Sequence, residues 1–148
     1  MTAQTMTTQL ARTAPAGALF LRLILVFYWA IHWWFKVGFR GMAATVSFFD
    51  SLGLPAWLAW FDISYEVLIV ILLLLGLFFR FACLSSLPIL IASMIIYGKN
   101  GFYFPSGGIE LPIFWALVQA TLVLIGPGAL SIRAPVKTKS ELVNWFLL

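Results

Sequence analysis

Four stretches of the chain are apolar almost without a break, and glycine, proline and charge collect between them. The stretches cover residues 18–36, 56–79, 81–97 and 109–125. Each is close to the roughly 20 residues a helix needs to cross ~30 Å of hydrocarbon. The pattern predicts an all-α integral membrane protein, a bundle of four transmembrane helices. Gly76 and Pro88 fall inside predicted spans, where neighbouring helices can satisfy the backbone. Gly53-Leu54-Pro55 precedes the second span, and Pro55 suits the start of a helix. Arg80 alone divides the second span from the third, which implies a very tight hairpin. Gly107-Gly108 precedes the fourth span and Gly126-Pro127-Gly128 closes it.

The flanking segments read differently. Residues 1–17 are rich in Thr, Ala and Gln with one charge, Arg12, and are expected to form a mobile tail. A signal peptide with an apolar core at 18–31 is the competing reading. Bulky His32-Trp33-Trp34-Phe35 stands where a cleavage site wants small residues, which argues against it. Residues 42–52 mix Val46, Phe48, Phe49 and Leu52 with Thr45, Ser47 and Asp50, predicting a short interfacial helix. Residues 134–148 form a C-terminal tail whose apolar end is expected to lie on the membrane surface. The transmembrane domain is therefore 18–133.

Composition supports the membrane. Of 148 residues, 63% are hydrophobic and 9% charged, against about 25% charged in soluble domains. Such a chain cannot cover its own surface with polar groups, and lipid removes the problem. The seven Trp suit membrane interfaces. The net charge of +4 comes without a basic run, so nucleic acid is not an expected partner; lipid is, together with a protein partner or further copies of this chain. With one cysteine, Cys83, the chain cannot form an internal disulfide, which excludes a C-x-x-C dithiol mechanism. One His and one Cys argue against a metal, haem or iron–sulfur site. In a four-span topology Arg12, Arg22, Arg80, Arg133, Lys137 and Lys139 share one side, and Lys36, Arg40 and Lys99 the other. The bias places both termini in the cytoplasm. No internal repeat is evident, so a transporter of inverted halves is not supported.

Ionisable residues inside the spans carry the functional information, because each costs about 2.5–3.5 kcal/mol at a helix centre on insertion scales. His32 and Lys36 lie four apart on one face near the outer end of the first span. Asp62 and Glu66 repeat that spacing in the second, and Glu110 opens the fourth on the same side. Antiparallel packing brings the cations to the carboxylates. Three bland readings compete: Lys36 snorkels to the interface, Asp62 is solvated among headgroups, and Glu110 complements a helix dipole. Glu66 with His32 reads either as a ligand or proton-handling pair or as a polar lock between helices. The Trp residues read as an interfacial belt, among which a flat ligand can also stack.

These residues, in order, resemble the DoxX family of small bacterial membrane proteins. The resemblance covers about 21–132. It rests on Arg22; on His32 followed by Lys36; on Leu52-Gly53-Leu54-Pro55; and on Glu66, Gly76-Leu77 and Arg80. It continues through Gly107-Gly108-Ile109-Glu110-Leu111-Pro112 and Gly126-Pro127-Gly128-Ala129-Leu130-Ser131. Two departures stand out: Trp33 where the family tends to keep Gly after the His, and Arg133 where it often has Asp. The second puts any inner-face pairing typical of the family in doubt. The resemblance implies four helices, cytoplasmic termini and an inner-membrane location. Family members are linked to oxidoreductase assemblies, one branch resembling a subunit of a thiosulfate:quinone oxidoreductase. The expectation is therefore a membrane subunit of a quinone-linked oxidoreductase, taking electrons from a partner. His32, Lys36, Asp62, Glu66 and Glu110 would form its polar site and quinone its cofactor. The alternatives are a non-catalytic scaffold for a partner protein and a small-solute or proton carrier.

Overall fold

The apolar stretches fold as helices because a backbone surrounded by lipid can satisfy its polar groups only within itself. The computed structural model describes residues 3–132 and 139–147; for 3–10, 12, 142 and 147 it describes the backbone alone. Helix α1 is Ala3–Trp34, α2 Met42–Ser51, α3 Ala56–Leu75, α4 Phe79–Tyr97, α5 Glu110–Ile125 and α6 Glu141–Leu147. The described residues contain no strand. Four long helices pack as an antiparallel ring: α1 against α3 and α5, and α4 against α3 and α5. Helices α1 and α4 thus face each other across the bundle.

Each helix buries one stripe. On α3 it is Ala59, Asp62, Ile63, Glu66, Ile69 and Leu73; on α1 it is Ala18, Arg22, Leu25 and Trp29. The steps of three and four are those of a single helical face. The other faces are apolar as well: Phe27, Leu68, Phe114 and Leu124 are exposed. A helix apolar all round with only one face packed on protein is surrounded by lipid. Three helical stretches are long and apolar enough to cross a membrane, Thr13–Phe39, Ala56–Leu75 and Phe79–Asn100. The chain is a multi-pass membrane protein. The fourth predicted span is α5, whose 16 residues extend about 24 Å at 1.5 Å per residue.

Several local expectations need revision. The segment expected as a tail is helical from Ala3 and continuous with the first span. Its helix is tied to the bundle where Pro15 O accepts the Ala129 amide at 2.9 Å. Arg80 is not the hairpin. Helix α3 stops at Gly76, left-handed at φ 66°, and Leu77 N donates back to Leu72 O, a Schellman closure that glycine permits. Arg80 lies instead in the first turn of α4. Its guanidinium donates to Val123 O at 2.9 Å and stacks 4.4 Å from the Trp145 ring of α6. A helix, α2, forms over the segment where a short one was predicted, entered through Gly41 at φ 85°. Arg133 and Lys137, both used in the charge count, lie outside the described residues, as does the Arg12 side chain.

Candidate functional site

The stripe on α1 continues past Trp29 to His32 and Lys36, and the stripe on α3 carries Asp62 and Glu66, so antiparallel packing sets four ionisable groups against one another. Lys36 Nζ donates to Asp62 Oδ2 at 2.6 Å and to Glu66 Oε1 at 2.8 Å. His32 Nδ1 lies 2.9 Å from the same Glu66 oxygen. Facing a carboxylate, Nδ1 is the donor, which leaves Nε2 as the ring nitrogen free for another partner. Glu66 is fully buried, ten residues into α3, about 15 Å along the helix. A charge that deep is tolerable only in company. Lys36 uses two of its three N–H donors on carboxylates.

Lys36 reaches this position from a π-helical turn, Phe35–Phe39, that ends α1. Arg40 N donates to Phe35 O, five residues back, so the Lys36 carbonyl loses its α-helical partner. Thr45 Oγ1, buried on α2, donates to it at 2.9 Å. Gly38 allows the turn: a Cβ there would stand 2.6 Å from the Trp34 ring. Turns of this type recur at functional sites.

The cluster edges a cavity of about 490 Å³ between α1, α2, α3 and α4, a usual size for a small-molecule site. His32, Lys36, Asp62 and Arg40 supply its polar edge. Phe35, Phe48, Phe61 and Tyr65 supply flat apolar walls. Among the ring contacts, Phe61 and Tyr65 stack at 5.7 Å with nearly parallel planes. The His32 side chain is 34% exposed, Lys36 16% and Glu66 0%. The buried carboxylate therefore holds two cationic or proton-carrying groups that themselves reach the cavity.

Of the five residues predicted, four meet. Glu110 does not join them. It is the first residue of α5, and its Oε2 accepts the Phe104 amide at 2.9 Å, so it fastens the preceding loop. Sequence reading also missed a second buried network. Trp29 Nε1 donates to Gln119 Oε1 at 3.0 Å, and Gln119 Nε2 donates to Cys83 O and Ser86 Oγ. Its signal was present, since a fully apolar run had no reason to carry Gln119. Arg22 is buried and donates to Pro127 O and Leu130 O. It thereby clamps the loop after α5.

The family model for DoxX matches residues 17–99. The chain belongs to the DoxX family. The match takes in His32, Lys36, Asp62 and Glu66 and ends before α5. Neither a curated protein nor a solved structure matches the chain. The family assignment of this DoxX-family chain agrees with its multi-pass architecture.

Proposed function

We propose that this DoxX-family protein is a four-span protein of the bacterial cytoplasmic membrane with both termini on the cytoplasmic side. In this reading it binds the head group of a quinone and serves a quinone-linked oxidoreductase as membrane subunit or accessory. The observation that carries the reading is a carboxylate-anchored His–Lys pair opening onto an aromatic cavity. Loops about the four helices and the Lys and Arg bias support the topology. Helix α5, 16 residues long, is the shortest of the four spans in this reading.

The residues fit such a head group. Quinone carbonyl oxygens need donors, and Lys36, with one N–H unused, lines the cavity together with Arg40 and with His32, whose Nε2 becomes a donor once protonated. Such a head group, when bound and reduced, would take up two electrons and two protons. The electrons come from a partner protein, because the chain's motifs contain no electron carrier. His32 would pass these protons one at a time, reloaded by water in the cavity between them. With a neutral ring, two carboxylates against one ammonium leave the cluster with one formal negative charge. A proton at Nε2 cancels that charge and turns the nitrogen from acceptor to donor. Glu66 Oε1 holds the ring orientation through Nδ1, and Asp62 with Glu66 positions Lys36.

Titration of the purified protein in nanodiscs with a short-chain quinone tests this. Trp29 and Trp115 flank His32, with Trp115 at 5.7 Å between ring centroids, so binding near His32 quenches their fluorescence. We expect saturable quenching that His32→Ala abolishes. Quenching that rises linearly in both proteins overturns the reading. The second reading, a scaffold for a partner protein, is favoured by how completely Lys36 is engaged by the two carboxylates. It predicts that Glu66→Gln leaves partner assembly intact.

A further inference from the structure

A second cavity of about 490 Å³ lies on the opposite side of the α1–α4 gap, between α1, α4 and α5. His32, Phe35, Ser93 and Tyr97 line both cavities. The two are therefore neighbouring chambers with one shared wall, and His32 is that wall's basic group. Their chemistry differs. The first chamber holds Lys36, Asp62 and Arg40. The second has no Asp, Glu, Lys or Arg among its lining residues, which include Leu25, Leu90, Leu111, Phe114, Trp115 and Val118. Its mouth faces lipid, since Tyr28 and Phe114 are 50% and 63% exposed.

An apolar chamber that shares His32, Phe35, Ser93 and Tyr97 with a polar one matches a ligand with one apolar and one polar end. A wholly apolar molecule gains little there, because lipid is as apolar as the chamber. A polar head gains by meeting His32 and Lys36, and its chain then has to leave in some direction. Beside its aromatic walls, the first chamber sets Lys36, Asp62 and Arg40 along an edge that disfavours a chain. The lipid-facing mouth between α1 and α5 does not. Resting on the head-group site argued above, we propose that the α1–α4–α5 chamber holds the chain of the ligand, so that the protein takes quinones with a long apolar tail, entering sideways from the bilayer between α1 and α5. Selection for tailed over tail-less quinones follows from this geometry, as does the position of His32 at the junction of head and tail.

Photolabelling decides it. The protein in nanodiscs is irradiated with a quinone carrying a diazirine on its tail, with and without excess tail-less quinone, and labelled peptides are mapped by mass spectrometry. A diazirine-bearing phosphatidylcholine serves as the lipid comparison. We expect label around Leu111, Phe114 and Val118 that is lost with the tail-less competitor and lost in Val118→Trp, which fills the chamber. Leu111→Trp, at the more exposed rim, gives the same loss if Val118→Trp yields no folded protein. Label on those residues that survives the competitor and equals that from the lipid makes the chamber an ordinary lipid groove and overturns the proposal. Competed label on α2 and α3 instead overturns the tail assignment while leaving the head site intact. No competed label anywhere removes the head site itself.

Discussion

Replacing Lys36 by Met probes the whole cluster, because its ammonium is the group both carboxylates share. The variant keeps the stem and removes the charge. Glu66 is then fully buried with only His32 beside it, and Asp62, 12% exposed, has lost its ammonium. Removing one partner of a buried ion pair costs about 3–5 kcal/mol, mostly for the charge left behind. Asp62 and Lys36 both touch the cavity, where water can reach them, so the lower end applies. About 3 kcal/mol shifts the unfolding equilibrium roughly 150-fold. The complementary variant, Lys36→Met with Asp62→Leu and Glu66→Met, removes every stranded charge. It should recover to within about 1 kcal/mol of the native protein, since apolar replacement of a buried ionic group is often neutral or better. Reversible unfolding in mixed micelles, followed by tryptophan fluorescence and circular dichroism, measures both. A single variant costing under about 1 kcal/mol, as for an exposed pair, refutes the argument. So does a triple variant no more stable than the single.

Other expectations are local. Gln119→Leu strands the Trp29 indole N–H in the core and should cost about 1–3 kcal/mol, read in the same unfolding assay. Gly76→Ala puts a Cβ 2.6 Å from Arg22 Nη1 at φ 66°; the left-handed backbone alone costs roughly 1–2 kcal/mol, so a clear loss of folded yield should follow. Arg22→Lys should be nearly as damaging as Arg22→Met, because two carbonyls, Pro127 O and Leu130 O, are held by separate guanidinium nitrogens that one ammonium does not reproduce. Cys83 is fully buried, so a maleimide should label it only after unfolding.

The membrane fold was legible because apolar runs near 20 residues long have few other readings. The stripe spacing also made the His32, Lys36, Asp62 and Glu66 juxtaposition readable: i and i+4 pairs on two adjacent helices leave little freedom. Glu110 misled because sharing one end of the bundle is not sharing a face; its loop contact to Phe104 follows from the short turns before α5. The α3–α4 hairpin was misplaced because one arginine looked like the only interruption, whereas the left-handed Gly76 ends the helix without any polar signal. The π-helical turn carrying Lys36 had no pattern to announce it. Its cause lies in tertiary contacts, with Gly38 under Trp34 and Thr45 taking the spare carbonyl. Helix 3–17 was read as a tail because composition said little, and the Pro15 contact to Ala129 spans more than a hundred residues of sequence.

The His32–Lys36–Asp62–Glu66 cluster is proposed to open onto a quinone site. The most direct test is mass spectrometry of quinones co-purifying with the native protein and with a His32→Ala, Glu66→Gln double variant at equal folded yield. The account predicts quinone retained by the native protein and lost from the variant. Equal amounts in both, or none in either, would contradict it.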